Sequence, residues 1–378
     1  MENKICIYAI CRNESQFVER WLESMKEADE IVVLDTMSED DTYSKFIKYQ
    51  ETYPNLRVFQ KEIKPWRFDV ARNECLKLAN NDCNIMMSTD LDEILEPGWA
   101  DILKANWIDG VHERAVYKYT WSHTADGNEG RTFYYDKIHS RNWKWNYPVH
   151  ELLHNTLTDS DEYYDENTLV LFDEIHLHHY PDDTKSRRSY LPLLELRVKE
   201  NKPGDHIGLL YLAHEYYYNK MYNNAIETFN EILNNHSDYF NNLEKANCYL
   251  FLGDCYRQLN NLEEAKKNYD KSIEMDETYR EPYLEKAELF IKEESFRTAE
   301  KILQEGLIKS QRHYSWLERD DSWTSKPFDL LCLIHFYQGR KKESLAAAIK
   351  AYTYDMGNER LKNNIYEVLN SMTDLDFM

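Results

Sequence analysis

The first half of the chain alternates short apolar runs with amphipathic stretches. Ile5-Cys6-Ile7-Tyr8-Ala9-Ile10, Ile31-Val32-Val33-Leu34, Leu56-Arg57-Val58-Phe59 and Asn84-Ile85-Met86-Met87-Ser88-Thr89 read as strands. Short unbroken apolar runs fit strands covered on both faces. Between them, Phe17, Trp21, Leu22 and Met25 recur at helical spacing, and residues 42–53 and 66–79 carry helical patterns. Alternation of strand and helix predicts a parallel sheet with helices on both faces. From about residue 111 the pattern changes. Residues 116–121 and 132–135 read as strands around an Asp126-Gly127-Asn128-Glu129-Gly130 turn, and residues 169–172 and 175–178 as further strands.

Residues from 186 onward are helical in pattern and repeat. Leu212-Ala213-x-x-Tyr216, Ala225 and Phe229 recur as Leu252-Gly253-x-x-Tyr256, Ala265 and Tyr269, then more faintly as Ala287, Phe290, Ala299 and Leu303, and as Leu331, Ser344 and Ala348. Ala265 and Ala299 are 34 positions apart. That period resembles the tetratricopeptide repeat, a helix–turn–helix unit that stacks into a solenoid. The expected division is an α/β domain over 1–185 and a helical-repeat domain over 186–378.

The chain has 378 residues and a formal net charge of −22. Such acidity argues against a basic nucleic-acid binder and against docking on an anionic membrane surface. It leaves anionic small molecules open, because a bound divalent cation inverts the local sign. No run approaches 18 apolar residues, so no transmembrane segment is expected. Met1-Glu2-Asn3-Lys4-Ile5 has no signal-peptide pattern, and the seven scattered cysteines form no CxxC pair. The reducing cytoplasm is the expected compartment.

Four clusters carry candidate chemistry. Asp90-Leu91-Asp92-Glu93 follows a strand, where side chains at i and i+2 point the same way. Two carboxylates converging there suit Mg²⁺ or Mn²⁺ bridging nucleotide phosphates; the plainer reading is a solvated acidic turn. Asp35, at the end of the second strand, is placed to accept from a base or ribose, while Ser38 or Asp40 would cap the following helix. Arg72 is either a diphosphate clamp or a surface arginine. His176 and His178 share one strand face and His179 takes the other; one imidazole added to two carboxylates would suit Mn²⁺, and the plain alternative is a satisfied polar residue. His150-Glu151 lies between these clusters and offers a general base.

Cys11-Arg12-Asn13-Glu14, Asp35-Thr36-x-Ser38-x-Asp40-x-Thr42, Ala71-Arg72-Asn73, Asp90-x-Asp92-Glu93 and His150-Glu151 occur in an order that resembles family 2 glycosyltransferases. The resemblance spans roughly residues 2–182. With its helical half, the chain is similar to the sublancin-type peptide S-glycosyltransferases. The resemblance implies a GT-A fold: a Rossmann-like, mostly parallel sheet with antiparallel additions, here followed by an all-α tetratricopeptide-like domain. It implies a UDP-sugar donor, Mn²⁺ or Mg²⁺, and inversion at the anomeric carbon. By it, Asn13, Glu14 and Asp35 line the nucleotide pocket and Arg72 approaches the diphosphate. Asp90 meets ribose or metal, Asp92 the metal, and His178, ahead of His176 and His179, completes the metal site. Glu151 is carried over as the catalytic base. Met37 stands where the family usually has glycine.

The expected function is transfer of a hexose, glucose by family likeness, to a peptide Cys, Ser or Thr side chain, with the repeats contacting the acceptor and a homodimer as a second use of their surface. A glycan acceptor of cell-surface polysaccharide synthesis is one alternative. Others are a non-catalytic repeat protein with a decayed nucleotide-sugar domain, and a metal-dependent nucleotidyltransferase. The last is disfavoured because Cys11-Arg12-Asn13-Glu14-Ser15 holds no glycine.

Overall fold

A computed structural model describes residues 2–123, 127–157, 168–182, 190–200, 202 and 205–373. The chain divides into two compact units, one of Met1–His123 and Glu129–Gly204, the other holding Asp205–Met378. The boundary expected at 185/186 and Asp126 of the expected turn lie outside the described residues.

In the first unit, the elements through the parallel region are β1 (Ile5–Cys11), α1 (Val18–Met25), β2 (Glu30–Asp35), α2 (Thr42–Tyr49), β3 (Leu56–Gln60), α3 (Phe68–Leu76) and β4 (Ile85–Ser88). Then come β5 (Glu93–Leu95), α4 (Trp99–Asn106), β6 (Arg114–Thr120), β7 (Thr132–His139), β8 (Trp143–Asn146), β9 (Leu152–Asn155), β10 (Leu169–His179) and α5 (Tyr190–Glu200). Among the described residues, one sheet runs β3-β2-β1-β4-β7-β6-β10-β5, with β8 and β9 in a separate hairpin. The β3-β2-β1-β4 half is parallel, as is β6 with β10; β7 and β5 run antiparallel to their neighbours. The expected α/β sheet with antiparallel additions is what forms.

The unbroken apolar strands arise because two cores share them. Ile5, Ile7 and Ala9 of β1 pack with Trp21, Leu22, Phe46 and Leu103 on one face. Cys6, Tyr8 and Ile10 pack with Ala71, Cys75, Trp143 and Trp145 on the other. All seven cysteines are free and buried. The two strands expected over 169–172 and 175–178 are one, β10, with a register shift between Phe172 and His176. Such a bulge re-aims the residues that follow it. Strand β1 has β2 on one side and β4 on the other. Ligands of open α/β sheets bind at such a reversal, outside the carboxyl ends of the strands. Asn13-Glu14, Asp35 and Asp90 all lie there.

The second unit is helical among its described residues: α6 (Ile207–Tyr218), α7 (Tyr222–Asn235), α8 (Asn242–Gln258), α9 (Leu262–Met275), α10 (Glu281–Lys292) and α11 (Phe296–Lys309), then α12 (Asp320–Trp323), α13 (Ser325–Tyr337), α14 (Lys341–Tyr354) and α15 (Glu359–Ser371). The repeated small residues Ala225, Ala265, Ala299 and Ala348 are buried between paired helices. Gly253 of α8 is the tightest of these approaches, since a Cβ there would stand 2.4 Å from the Tyr269 ring of α9. Tyr269 is itself held by donating to Asp254 Oδ1 at 2.7 Å. No described helix is long and apolar enough to cross a membrane.

Because Tyr269 is pinned, Gly253→Ala should overpack the α8–α9 contact and destabilise the helical unit by about 1–3 kcal/mol. Calorimetric unfolding measures this; an unchanged transition would mean that the ring yields without cost.

Candidate functional site

The site grows from the end of β4. Strand β4 delivers Ser88, and the following turn carries Asp90, Asp92 and Glu93. Glu93 is buried and ties the turn: its Oε2 accepts from the Asp90 backbone N–H at 2.8 Å. Its Oε1 accepts from Lys137 Nζ at 2.7 Å and from the Tyr119 hydroxyl at 3.1 Å. Burial pushes the Glu93 carboxyl up, against the opposing pull of Lys137.

Asp90 sits between two buried cations. Its Oδ1 accepts from Arg72 Nη2 at 2.8 Å and its Oδ2 from Lys137 Nζ at 3.1 Å. Burial alone would raise its carboxyl, but the two cations hold it far below the ordinary carboxylate range. Burial likewise disfavours the charged forms of Arg72 and Lys137, and their carboxylate partners more than reverse this.

Arg72, on α3, donates from each of its three nitrogens within the unit. Besides Asp90, Nη1 donates to Ser88 Oγ at 2.9 Å and Nε to Glu151 Oε1 at 2.8 Å. Trp145 of β8 lies over its guanidinium. The surface-arginine reading is therefore set aside: Arg72 is 7% exposed and bridges Asp90 to Glu151. Glu151 follows His150, which has a left-handed φ of 49°, in the turn between β8 and β9. That turn is held by Arg197 of α5, whose Nη1 donates to the carbonyls of Val149 at 3.0 Å and His150 at 2.7 Å. Arg67 pairs with Glu200 of the same helix.

Asp92 meets a histidine, and it is His179. His179 Nε2 lies 3.3 Å from Asp92 Oδ2, and its Nδ1 bonds the Trp121 carbonyl at 2.9 Å. Burial pulls this imidazole down, but the hydrogen bond and charge of Asp92 outweigh it and the net shift is upward. His178 does not join Asp92 as expected: its Nε2 lies 2.9 Å from Glu96 Oε1. In the β5–β10 ladder His178 lies opposite Ile94 and His179 opposite Glu93, and Asp92 reaches His179 from the turn that precedes β5. His178 and His176 turn to the other face, toward Glu96.

Asp35 is fully buried, and its Oδ1 accepts from the N–H groups of Met37 at 3.0 Å and Ser38 at 2.9 Å and from Gln60 Nε2 at 3.0 Å. It caps a tight turn in which Met37 takes a φ of 72°, the left-handed conformation that glycine adopts most easily. This accounts for the glycine usual at that place. The loops after β1 and β2 then lace together. Asn13 Oδ1 accepts from Glu39 N at 2.7 Å, Glu14 N donates to Thr42 Oγ1 at 2.8 Å, and Asp40 Oδ1 accepts from Thr42 N at 2.9 Å at the start of α2.

The structure thus gathers Arg72, Asp90, Asp92 and Glu151 with Lys137, Glu93 and His179. Glu93 closes the Asp90-x-Asp92-Glu93 motif, but Lys137 carries no motif that separates it from ordinary strand residues. Its only signal is a charge inside a buried stretch, beside Ile138. Four carboxylates face two fixed cations, a formal surplus of two negative charges that one divalent ion would balance.

Residues 6–150 match the family described as Glycosyl transferase family 2, and residues 207–278 match Tetratricopeptide repeat. The first match takes in β1 through β8 and the Asp90–Asp92 turn; Glu151 and the histidines of β10 fall beyond it. The chain thus carries a glycosyltransferase-type domain of GT-A-like fold followed by helical repeats. No curated protein matches the chain. Among solved structures, a tetratricopeptide-repeat protein from Thermus thermophilus is 21% identical over 48% of this chain and 90% of its own, with a TM-score of 0.37. PilF of Pseudomonas aeruginosa is 14% identical over 49% and 76%, at 0.38. A repeat protein from Parabacteroides merdae is 13% identical over 48% and 65%, at 0.36.

Removing one partner of a buried ion pair strands the other, at about 3–5 kcal/mol. Lys137→Met, which leaves the buried Glu93 without a cation while Asp90 keeps Arg72, should therefore lower stability by about that amount in urea unfolding. Adding Glu93→Gln should recover part of the loss. A change below about 1 kcal/mol would mean that water, rather than the lysine, compensates these carboxylates.

Proposed function

We propose that the first unit transfers a hexose from a nucleoside diphosphate sugar to an acceptor side chain, with inversion at the anomeric carbon. UDP-glucose is the first donor to try. The observation that carries this reading is the meeting of Asp92 with His179 beside the pinned Asp90, at the strand ends of a domain matched to family 2 glycosyltransferases.

The donor set suits a hard divalent cation. A carboxylate oxygen and an imidazole nitrogen 3.3 Å apart are close to the spacing of neighbouring ligands each about 2.1 Å from one octahedral ion. Mn²⁺ or Mg²⁺ bound there would offset the charge of the leaving diphosphate. Asp90 presents its remaining lone pairs to ribose or to that ion. Arg72 acts as a positioning residue, fixing Asp90 and Glu151 in one frame. Asp35 shapes the floor of the base pocket through its turn, and the Asn13–Glu14 loop forms the pocket's edge. Glu151, held at one oxygen by Arg72, takes the acceptor proton. The acceptor oxygen or sulfur bonds to the anomeric carbon as the carbon–diphosphate bond breaks, and the nucleoside diphosphate leaves. Positioning and charge stabilisation supply most of such an acceleration.

For the acceptor we favour a peptide Cys, Ser or Thr side chain, as in the sublancin-type enzymes, presented by the helical repeats. Stacked repeats form concave surfaces suited to extended peptides. A thiol, with a free pKa of about 8.5, needs the base least. The free, buried cysteines and the nucleotide-sugar donor both suit a cytoplasmic enzyme.

Two substitutions test the assignment. Asp92→Asn should abolish Mn²⁺-dependent release of UDP from UDP-hexoses and leave the fold intact by circular dichroism; wild-type release would remove Asp92 from the site. Release of hexose 1-phosphate instead of UDP would replace glycosyl transfer by nucleotidyl transfer. Glu151→Gln keeps an oxygen for Arg72 but removes the proton acceptor. It should lower kcat by roughly 10²–10⁴-fold while donor affinity stays nearly constant. Equal losses in kcat and donor affinity would reduce Glu151 to a support for Arg72.

A further inference from the structure

We propose that Glu96, His176 and His178 form a second cation site, separate from the Asp92–His179 pair and suited to a borderline transition ion such as Zn²⁺. His176 Nδ1 lies 3.2 Å and His178 Nε2 2.9 Å from the same oxygen, Glu96 Oε1. The three ligand atoms all lie within 4.8 Å of one another. Tetrahedral ligands about 2.1 Å from zinc are about 3.4 Å apart, so a small opening of this cluster seats the ion.

Each imidazole is also oriented from behind. His176 Nε2 bonds Thr120 Oγ1 at 2.8 Å, which aims Nδ1 at Glu96. His178 Nδ1 faces His123 Nε2 at 3.2 Å, and His123 stacks on Tyr180 with ring centroids 4.4 Å apart. Partners on the far nitrogen fix the tautomer and angle of metal-binding histidines in this way.

The plainer arrangement is a cluster of hydrogen bonds. It requires two imidazoles with centroids 3.9 Å apart to share one carboxylate oxygen. Charging both rings sets like charges together, and charging one leaves the other a weak neutral donor. A single cation satisfies both lone pairs and the carboxylate at once. Glu129 Oε1 lies 3.7 Å from His176 Nδ1, at the edge of the three ligands, and water would complete a four-coordinate ion. Lys118 Nζ, 3.0 Å from Glu129 Oε2, offsets part of that carboxylate's charge beside the cluster. Two imidazoles with carboxylate select Zn²⁺, Co²⁺ or Ni²⁺ over Mg²⁺.

The placement assigns the site a bracing role. Strand β5 runs from Glu93 to Leu95, between Asp92 and Glu96, and pairs with β10 at His178 and His179. A cation joining Glu96 to His176 and His178 staples β5 to β10 at the end opposite the Asp92–His179 contact. The inference does not depend on glycosyl transfer, because it concerns only these side chains.

The test is titration of the chelator-stripped full chain with Co²⁺, a spectroscopic stand-in for Zn²⁺. One equivalent should raise the visible band of a four-coordinate nitrogen–oxygen site, and Zn²⁺ should displace it. Glu96→Gln and His176→Ala should each weaken binding at least tenfold, while Asp92→Asn leaves it unchanged. Zn²⁺ should raise Tm in the wild type and not in Glu96→Gln. His176 is buried against Thr120 and its replacement risks the fold; the half-exposed Glu96 decides in that case. A missing band, a band that survives Glu96→Gln, or one lost with Asp92→Asn would overturn the proposal.

Discussion

Two buried cations, Arg72 and Lys137, hold the first unit's strand ends in one frame. Arg72 comes from α3 and Lys137 from β7, yet both reach Asp90 at the end of β4, and each also grips a second carboxylate, Glu151 or Glu93. Such pairs add little net stability compared with apolar packing, but losing one member leaves an uncompensated charge out of water. The network therefore works as a constraint. It allows only arrangements in which α3, β4, β5, β7 and the β8–β9 turn meet at Asp90. Asp92 and His179 inherit their positions from that meeting through the tied backbone of Asp90–Glu93.

The second unit is ordered by a different force. Its small residues Ala225, Ala265 and Ala299 are buried, Gly253 admits the Tyr269 ring of the paired helix, and apolar burial supplies the stability. Charge still enters where a polar group is taken inside. Asp254 accepts from Tyr269 and also pairs with Arg319 Nη2 at 2.6 Å, and Arg319 Nη1 reaches Glu285 at 2.7 Å. As with Glu93, a buried carboxylate is tolerated because its oxygens have partners.

The order of strands and helices, the two-part organisation and the tetratricopeptide period were all legible along the chain. Strands covered on both faces read as unbroken apolar runs, and helical repeats read as recurring small residues, because burial acts on each residue locally. The placing of Asn13, Asp35 and Asp90 at strand ends followed from the same pattern. The single-strand nature of β10 was not legible, since the exposed Asp173-Glu174 interrupts the apolar pattern while the backbone continues through a bulge.

Local pattern along the chain set which chemical groups are present and which loop bears each one. Alternation along β10 even separated His176 and His178 from His179. Which of these faces meets Asp92 was decided only in three dimensions, by the turn before β5 that carries its carboxylate to His179, more than 80 residues away along the chain. Tertiary structure also decided that Arg72 turns inward and that Lys137 and Arg197 support the site. A buried cation looks like any other lysine or arginine until the carboxylates and carbonyls that compensate it arrive from distant strands. Local pattern is set by each segment's own burial, whereas charge compensation depends on which segments meet.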